Sequence, residues 1–359
     1  MKICIINNLF PPDGGGAERV VLRQIEEEKK HGNEVVLITT SNADSFSDTL
    51  KNVRVYQLRP YNLFHYRQLS QHGVLVKLLW HGVDMLNIGS ARRIKQILKK
   101  EQPEVVHTHN LMGIGFLVPR VIQSLKITHI HTIHDIQLVE PSGVLLWNHS
   151  SDSFLQKIYS RIMKWLLKSV DVVVSPSRFL QEFYTKRGFF RGSEFILNQK
   201  TKHIKHTSIV GVKPVKCLFV GSLSRHKGIE ILMRAWDLID KDVDAEVHVV
   251  GSGALESVVR EWAKNDARIF VHGQLGRVDL QKVYEECQVL IFPSICLENR
   301  PTVLEEAMEK GLFIVASDTG GVREVVEGYD GAVLVEPGNV HNLVSEIKML
   351  IDRASDQTD

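Results

Sequence analysis

At 359 residues and 43% apolar side chains, the chain is too long for one comfortable hydrophobic core and rich enough to build two, so two domains are expected. Lysine and arginine number 44 against 42 aspartates and glutamates, a net charge of +2, which excludes a global pull toward nucleic acid and confines basic function to local patches. No run of 18 or more apolar residues occurs, which excludes an apolar helical span, and Cys4, Cys217, Cys287 and Cys296 are scattered without a C-x-x-C pair, as reduced core thiols are.

From the amino terminus, KICIIN forms a first strand that breaks at Pro11 and Pro12, not a cleavable leader. Gly14, Gly15 and Gly16 follow, ahead of a helix over 17–31 that sets Val20, Val21 and Ile25 on one stripe and stops at Gly32. Glycines there let backbone approach a ligand, and a helix start favours an anion. Short β-branched runs, EVVLITT, VRVYQL, EVVHTH, THIHTI and DVVVSP, then alternate with amphipathic stretches, the pattern of βα units around a parallel sheet. Two runs carry histidines, His107 and His109 in one, His129, His131 and His134 in and after the other. A metal site would need these rings to converge with carboxylates or thiolates. Hydrogen-bonded histidines at strand ends, and no metal, are expected instead.

Residues 152–169, DSFLQKIYSRIMKWLLKS, have Leu155, Ile158, Ile162, Trp165 and Leu166 at helical spacing, with Lys157, Arg161, Lys164 and Lys168 as a basic flank. Such a helix is either a surface helix with a solvated basic face or one that lies on an anionic bilayer. The polar stretch 198–213 separates these strands from a second series, VKCLFVG, AEVHVVG, ARIFVHG, VLIFPS, LFIVAS and GAVLV. The expected organisation is α/β, two Rossmann-like domains over 1–205 and 206–359 with parallel sheets facing across a cleft. Asp242 and Asp244 form a D-x-D string, but they precede a strand, at the end away from ligands in such sheets.

Residues 290–321 are the most informative. A strand runs to Phe292, a loop holds Glu298, and a helix opens at Pro301 and ends at Gly311. Amides around Thr302 and Val303, backed by the helix dipole, suit a pyrophosphate. Glu298 and Glu306 so near a phosphate would be repelled unless they accept hydrogen bonds from hydroxyls, which a sugar and a ribose supply. Upstream, FVGSLSRHKGIEIL puts Arg225 and Lys227 at a strand's carboxyl edge, where cations would neutralise a leaving diphosphate. EVHVVGSGALE brings Gly251 and Gly253 in strand, G-x-G and helix, yet Glu256 at the third-glycine position and no acid after the next strand argue against a nicotinamide site.

In order, FPS, the E-x7-E pair Glu298 and Glu306, E-N-x-P, Ala307, Gly311 and the GG-x-x-E of Gly320, Gly321 and Glu324 resemble the signature of the retaining glycosyltransferases of family four, which have the GT-B fold. The likeness runs from Met1 to about Gly338. It implies transfer of a hexosyl or related sugar from a UDP- or GDP-sugar to a glycan or lipid-linked acceptor, with retention, in cell-surface polysaccharide synthesis, without metal or cofactor. By this resemblance Glu298 and Asn299 contact the donor sugar and Glu306 holds the ribose. Arg300, Pro301, Thr302 and Val303 belong to the donor loop. Lys227 and Arg225 face the diphosphate, Gly251 and Gly253 lie near the base, Gly14, Gly15 and Gly16 face phosphate and acceptor, and His134 of the His134–Asp135 pair reaches the sugar. VKLLWHGVDMLN, 76–87, is similar to a segment of members that act on lipid-linked or polysaccharide acceptors.

The chain departs from the family at two places. Ser222 stands where arginine is usual, and one helix follows residue 338 where members carry more. Two alternatives therefore stay open, a non-catalytic nucleotide-sugar-binding subunit with a partner and a GT-B nucleotide-sugar epimerase. The expected place is the cytoplasm, and the bilayer reading of the 152–169 helix leaves open a peripheral seat at the inner face of the membrane.

Overall fold

The computed structural model describes residues 1–10, 16–41, 44–50, 53–198 and 205–355, so the expectations for Gly14 and Gly15 lie outside the described residues. The chain divides into two compact units. Unit 1 is Met1–Gly143 with Ser151–Asn198, and unit 2 is Val144–Ser150 with Gln199–Asp359. The expected boundary after 205 thus falls a few residues earlier, and a short excursion from the first half of the chain belongs to the second unit.

Unit 1 contains β1 (Lys2–Ile6), α1 (Gly16–Lys30), β2 (Glu34–Thr40), β3 (Ser45–Leu50), β4 (Val53–Leu58), α2 (Val74–Met85), α3 (Ile88–Glu101), β5 (Val105–Thr108), α4 (Val118–Ser124), β6 (Thr128–Thr132), α5 (Phe154–Leu166), β7 (Val172–Ser175), α6 (Arg178–Lys186) and β8 (Glu194–Leu197). The sheet order is β3-β4-β2-β1-β5-β6-β7-β8, parallel except for β3, which runs antiparallel to β4. Val21 and Ile25 of α1 are buried against Ile3, Ile5 and Leu37, and Gly32, at φ 78°, ends the helix as expected. The two strands that the sequence pattern misses, β3 and β8, are both edges; SFSDTL and EFIL pair on one side only and need no continuous apolar run.

In α5 the Ser153 hydroxyl and the Gln156 side chain form a reciprocal capping box. The face it buries takes Leu166 from the expected stripe but is otherwise a different one. Tyr159, Ser160, Met163 and Leu166 turn inward, while Leu155, Ile158 and Trp165 stay exposed together with Phe154. The helix has two apolar flanks, and spacing alone does not say which one turns inward.

Unit 2 contains β9 (Val215–Val220), α7 (Ile229–Trp236), β10 (Ala245–Val250), α8 (Glu256–Ala263), β11 (Ile269–Gly273), α9 (Arg277–Glu286), β12 (Val289–Phe292), α10 (Thr302–Glu309), β13 (Phe313–Ser317), α11 (Val322–Val326), β14 (Ala332–Val335) and α12 (Val340–Ser355). All neighbours in the order β11-β10-β9-β12-β13-β14 are parallel. Successive residues feed opposite faces: Cys217 and Phe219 with Val289 and Ile291 on one, Leu218 with Leu290 and Phe292 on the other. That two-sided burial explains the unbroken apolar runs. Asp242 and Asp244 sit just ahead of β10, at its amino end. All four cysteines are free and buried.

Candidate active site

In unit 2 the chain winds from β9 outward to β10 and β11, then returns to β12 on the other side of β9. The carboxyl ends of β9 and β12 flank this switch point, where doubly wound sheets take ligands. After β9 a one-turn 3-10 segment, Arg225–Lys227, carries Lys227; after β12 the loop carries Ser294, Cys296 and Glu298. Lys227 Nζ donates to Glu298 Oε1 at 2.7 Å, the Ser294 hydroxyl donates to the same oxygen at 2.6 Å, and Cys296 Sγ lies 3.5 Å away. Glu298 is buried. Burial works to lower the Lys227 pKa, but the Glu298 charge and hydrogen bond, with Cys296 alongside, carry it above its ordinary value, so the ammonium is firmly charged.

Backbone contacts that only glycine permits hold this pair. Gly228 has φ 76°, and a Cβ there would stand 1.8 Å from the Pro293 carbonyl oxygen, so the Lys227 turn lies directly on the end of β12. His226 O accepts from the Ile295 amide at 3.0 Å, closing the latch. On the other side Gly320, at φ 58°, would place a Cβ 2.0 Å from the Glu298 carbonyl, and the Gly321 amide donates to that carbonyl at 2.7 Å. Gly251 and Gly253 serve similarly, against Gly221 O and Leu223 O. The excursion 144–150 is bound here too: Trp147 N donates to Ile295 O and Leu297 N to Leu145 O, with an antiparallel bridge between Leu146 and Cys296. These bonds assign that segment to unit 2.

The other expected donor residues are placed as follows. Pro301 is the N-cap of α10 and not its first residue; its ψ of 111° is extended, and the helix starts at Thr302 and Val303. Arg300 Nε donates to Glu305 Oε1 at 2.6 Å, which ties the loop to the first turn. Asn299 is half-buried beside Glu298. Glu306 accepts from the Tyr284 hydroxyl at 3.1 Å. Arg225 is not gathered into the Lys227–Glu298 pair; its side chain is 80% exposed and Nε faces Glu230 at 3.4 Å. Ser294, the serine of FPS, completes the coordination of Glu298 and is the functional residue that sequence reasoning misses.

Unit 1 has its own switch point, between β1 and β5. Here His134 Nε2 lies 2.9 Å from His109 Nδ1, and His109 Nε2 lies 2.8 Å from Gln24 Oε1 of α1. His129 and His131 share the Thr108 hydroxyl at 2.7 and 2.8 Å. Burial lowers His107 and His129 to about 3 and His134 to about 4, so the cluster is neutral at ordinary pH. His109, His131, His134 and Asp135 line a narrow pocket with Tyr184, whose hydroxyl donates to Asp135 O at 2.6 Å. Gly16 opens α1. Among the described residues no group of three or more His, Cys, Asp or Glu is arranged to hold a metal ion, and no helix is long and apolar enough to cross a membrane.

Two Rossmann-like units with parallel sheets define the GT-B fold. The chain belongs to glycosyltransferase family 4: the pattern of Glycosyltransferase Family 4 matches residues 14–193, and that of Glycosyl transferases group 1 matches residues 214–353. It is a glycosyltransferase of this type. It is 26% identical over 333 residues to an uncharacterised 42.6 kDa protein in the cps region of Klebsiella pneumoniae, covering 90% of this chain and 87% of that protein. Among solved structures it is similar to sucrose-phosphate synthase from Thermosynechococcus elongatus, with TM-score 0.69 and 20% identity over 98% of this chain and 91% of that one. It is also similar to Anabaena HepE in complex with UDP and glucose, with TM-score 0.68 and 17% identity over 99% and 91%.

Proposed function

We propose that this glycosyltransferase moves a hexosyl or related sugar from a UDP- or GDP-sugar to a glycan or lipid-linked acceptor with retention of configuration, as a step of cell-surface polysaccharide synthesis. The observation that carries the reading is the Lys227, Glu298 and Ser294 cluster at the switch point, one loop ahead of the α10 amino terminus. A cation beside first-turn amides suits a leaving diphosphate. The donors on Glu298 converge on Oε1, and Oε2 is the oxygen offered to sugar hydroxyls. In the proposed transfer the C1–O bond to the diphosphate breaks, the acceptor hydroxyl bonds to C1 from the same face, and its proton passes to the departing phosphate oxygen. Lys227 and the α10 amides take up the developing charge; Glu306 and the α10 first turn hold the nucleotide. In unit 1, neutral His134 contacts a sugar hydroxyl. HepE, crystallised with UDP and glucose, and the cps-region relative support the donor and pathway class.

The membrane enters the same reading through unit 1. Glu140 accepts from Gln156 of α5 and acts electrostatically on His81 of α2, while Tyr159 of α5 feels Asp84 of α2, so the two helices are neighbours. Val74, Leu75, Leu78 and Leu79 of α2 and Phe154, Leu155, Ile158 and Trp165 of α5 are exposed. Lys77, Lys157, Arg161 and Lys164 punctuate them, and neither helix carries an exposed acid. Apolar and basic residues without acids suit an anionic lipid surface.

Incubation with UDP-, GDP- and ADP-sugars tests the reading. Slow release of nucleoside diphosphate by the native chain, lost in Glu298→Gln, is expected; failure to bind any donor would overturn it. Binding without turnover is the result of the second reading, a non-catalytic subunit, which Ser222 and the outward pairing of Arg225 favour.

A further inference from the structure

We infer that Gln24, on α1, is a positioning residue that decides which nitrogen of the His134 ring carries its proton. The inference rests on the reading of His134 as a sugar contact. Side chains form an unbroken line: His134 Nε2 to His109 Nδ1 at 2.9 Å, His109 Nε2 to Gln24 Oε1 at 2.8 Å, Gln24 Nε2 to His107 Nδ1, and His107 Nε2 to the Thr132 hydroxyl at 2.7 Å. The rings of His107 and His109 stack with centroids 4.7 Å apart, and those of His109 and His134 at 5.2 Å, so all three are held in place.

A neutral imidazole and a hydroxyl can each reverse their donor and acceptor roles, whereas an amide cannot: its oxygen only accepts and its nitrogen only donates. Gln24 Oε1 on His109 Nε2 therefore requires a proton on that nitrogen and a bare His109 Nδ1. A bare Nδ1 in turn requires the proton of His134 on Nε2, which leaves Nδ1 of His134 as a lone-pair acceptor. In the other direction the amide nitrogen requires a bare His107 Nδ1, with the proton on Nε2 given to Thr132. Burial keeps the three rings neutral, so each has one proton to place. A sugar hydroxyl approaching His134 at Nδ1 would meet an acceptor. His129 and His131 are outside this line, tied to Thr108.

Long-range proton–nitrogen spectra of the full chain with 15N-labelled histidine, without donor, test the assignment; His134→Asn identifies the His134 signals. The native chain is expected to show His134 protonated on Nε2 alone. Gln24→Met should lose that single-tautomer signal. Gln24→Glu, which replaces the donating nitrogen by a second acceptor, should move the His107 proton to Nδ1 and leave His109 and His134 as they were. In the transferase assay kcat should fall on the order of tenfold in Gln24→Met and recover in Gln24→Glu, the size of one hydrogen bond. A native His134 protonated on Nδ1, or one unchanged in Gln24→Met, overturns the inference. Should Gln24→Met fail to fold, an unmoved His107 proton in Gln24→Glu overturns it alone. Tautomers that respond as expected in a chain without transferase activity would count against the proposed function and not against Gln24.

Discussion

Lys227 and Glu298, one after β9 and the other after β12, share a 2.7 Å hydrogen bond at the point where the winding of unit 2 reverses. Neither side chain is comfortable alone: burial opposes the ammonium, and the buried carboxylate relies on Lys227 and Ser294. Glu298→Gln and Lys227→Met should each lower transfer by roughly a hundredfold or more. Because each single change also strands its partner, the double variant should lose less than the sum of the two, by more than about 0.5 kcal/mol. Strict additivity in a double-mutant cycle on kcat/KM would show that the two act separately.

Gly320→Ala changes no side chain that faces a ligand, yet its Cβ would fall 2.0 Å from the Glu298 carbonyl at a φ of 58°. The loop has to shift. Transfer should drop at least tenfold with a stability loss of about 1–3 kcal/mol, in line with strain at a left-handed position. Native-like activity in Gly320→Ala would mean that the position of Glu298 is not set by this contact.

Buried histidines and buried acids of unit 1 respond in opposite senses to acid. Burial depresses His107 and His129 to about 3 and His134 to about 4, and holds His109 and His131 well below the ordinary imidazole range. Below about pH 6.5 the unfolded chain binds protons that these folded rings refuse, so their contribution to stability is lost as pH falls. Burial raises Asp84 to about 7 and Asp135 to about 6, so the folded chain holds those protons first and gains stability as pH falls through that range. Five rings outweigh two acids, so these groups together make unfolding take up protons, and the chain should lose stability, as pH falls below about 6.5. Urea midpoints that do not fall between neutral pH and pH 5 would contradict this balance. By the same logic Asp84→Asn should stabilise the chain above pH 7, where the native carboxylate is charged and buried.

Vesicles of anionic phospholipid should sediment the chain, and neutral vesicles should not. Phe154→Ser combined with Leu155→Ser, or Leu75→Ser with Leu79→Ser, should weaken binding by tenfold or more with the fold intact, since all four side chains are exposed. Raised salt should weaken it too, through Lys157 and Arg161. Equal binding to both vesicle types would remove the electrostatic part of the reading.

Much of this architecture is legible from local pattern. The apolar runs of β9, β10, β12 and β13 stand out because each is buried on both faces, and the order of Lys227, Glu298, Glu306 and Gly320 carries the family likeness. The edge strands β3 and β8 escape notice because half-paired strands need no such run. Arg225 and Lys227 look equivalent along the chain; only the fold pairs Lys227 with Glu298 and sends Arg225 outward to Glu230.

By itself the sequence determined the two α/β series, the glycines that permit close backbone approach, and the residue types of the donor loop, since these depend on short-range periodicity and on side chains that cannot be substituted sterically. Only the tertiary structure decided that Ser294 completes the Glu298 cluster, that residues 144–150 join the second unit, that α5 buries Tyr159 and Met163 in place of Leu155 and Trp165, and that Gln24 stands between His107 and His109. Apart from the Ser294–Glu298 contact, which spans four residues, each of these depends on contacts between residues distant in sequence, which strand order and register create and which no local pattern encodes.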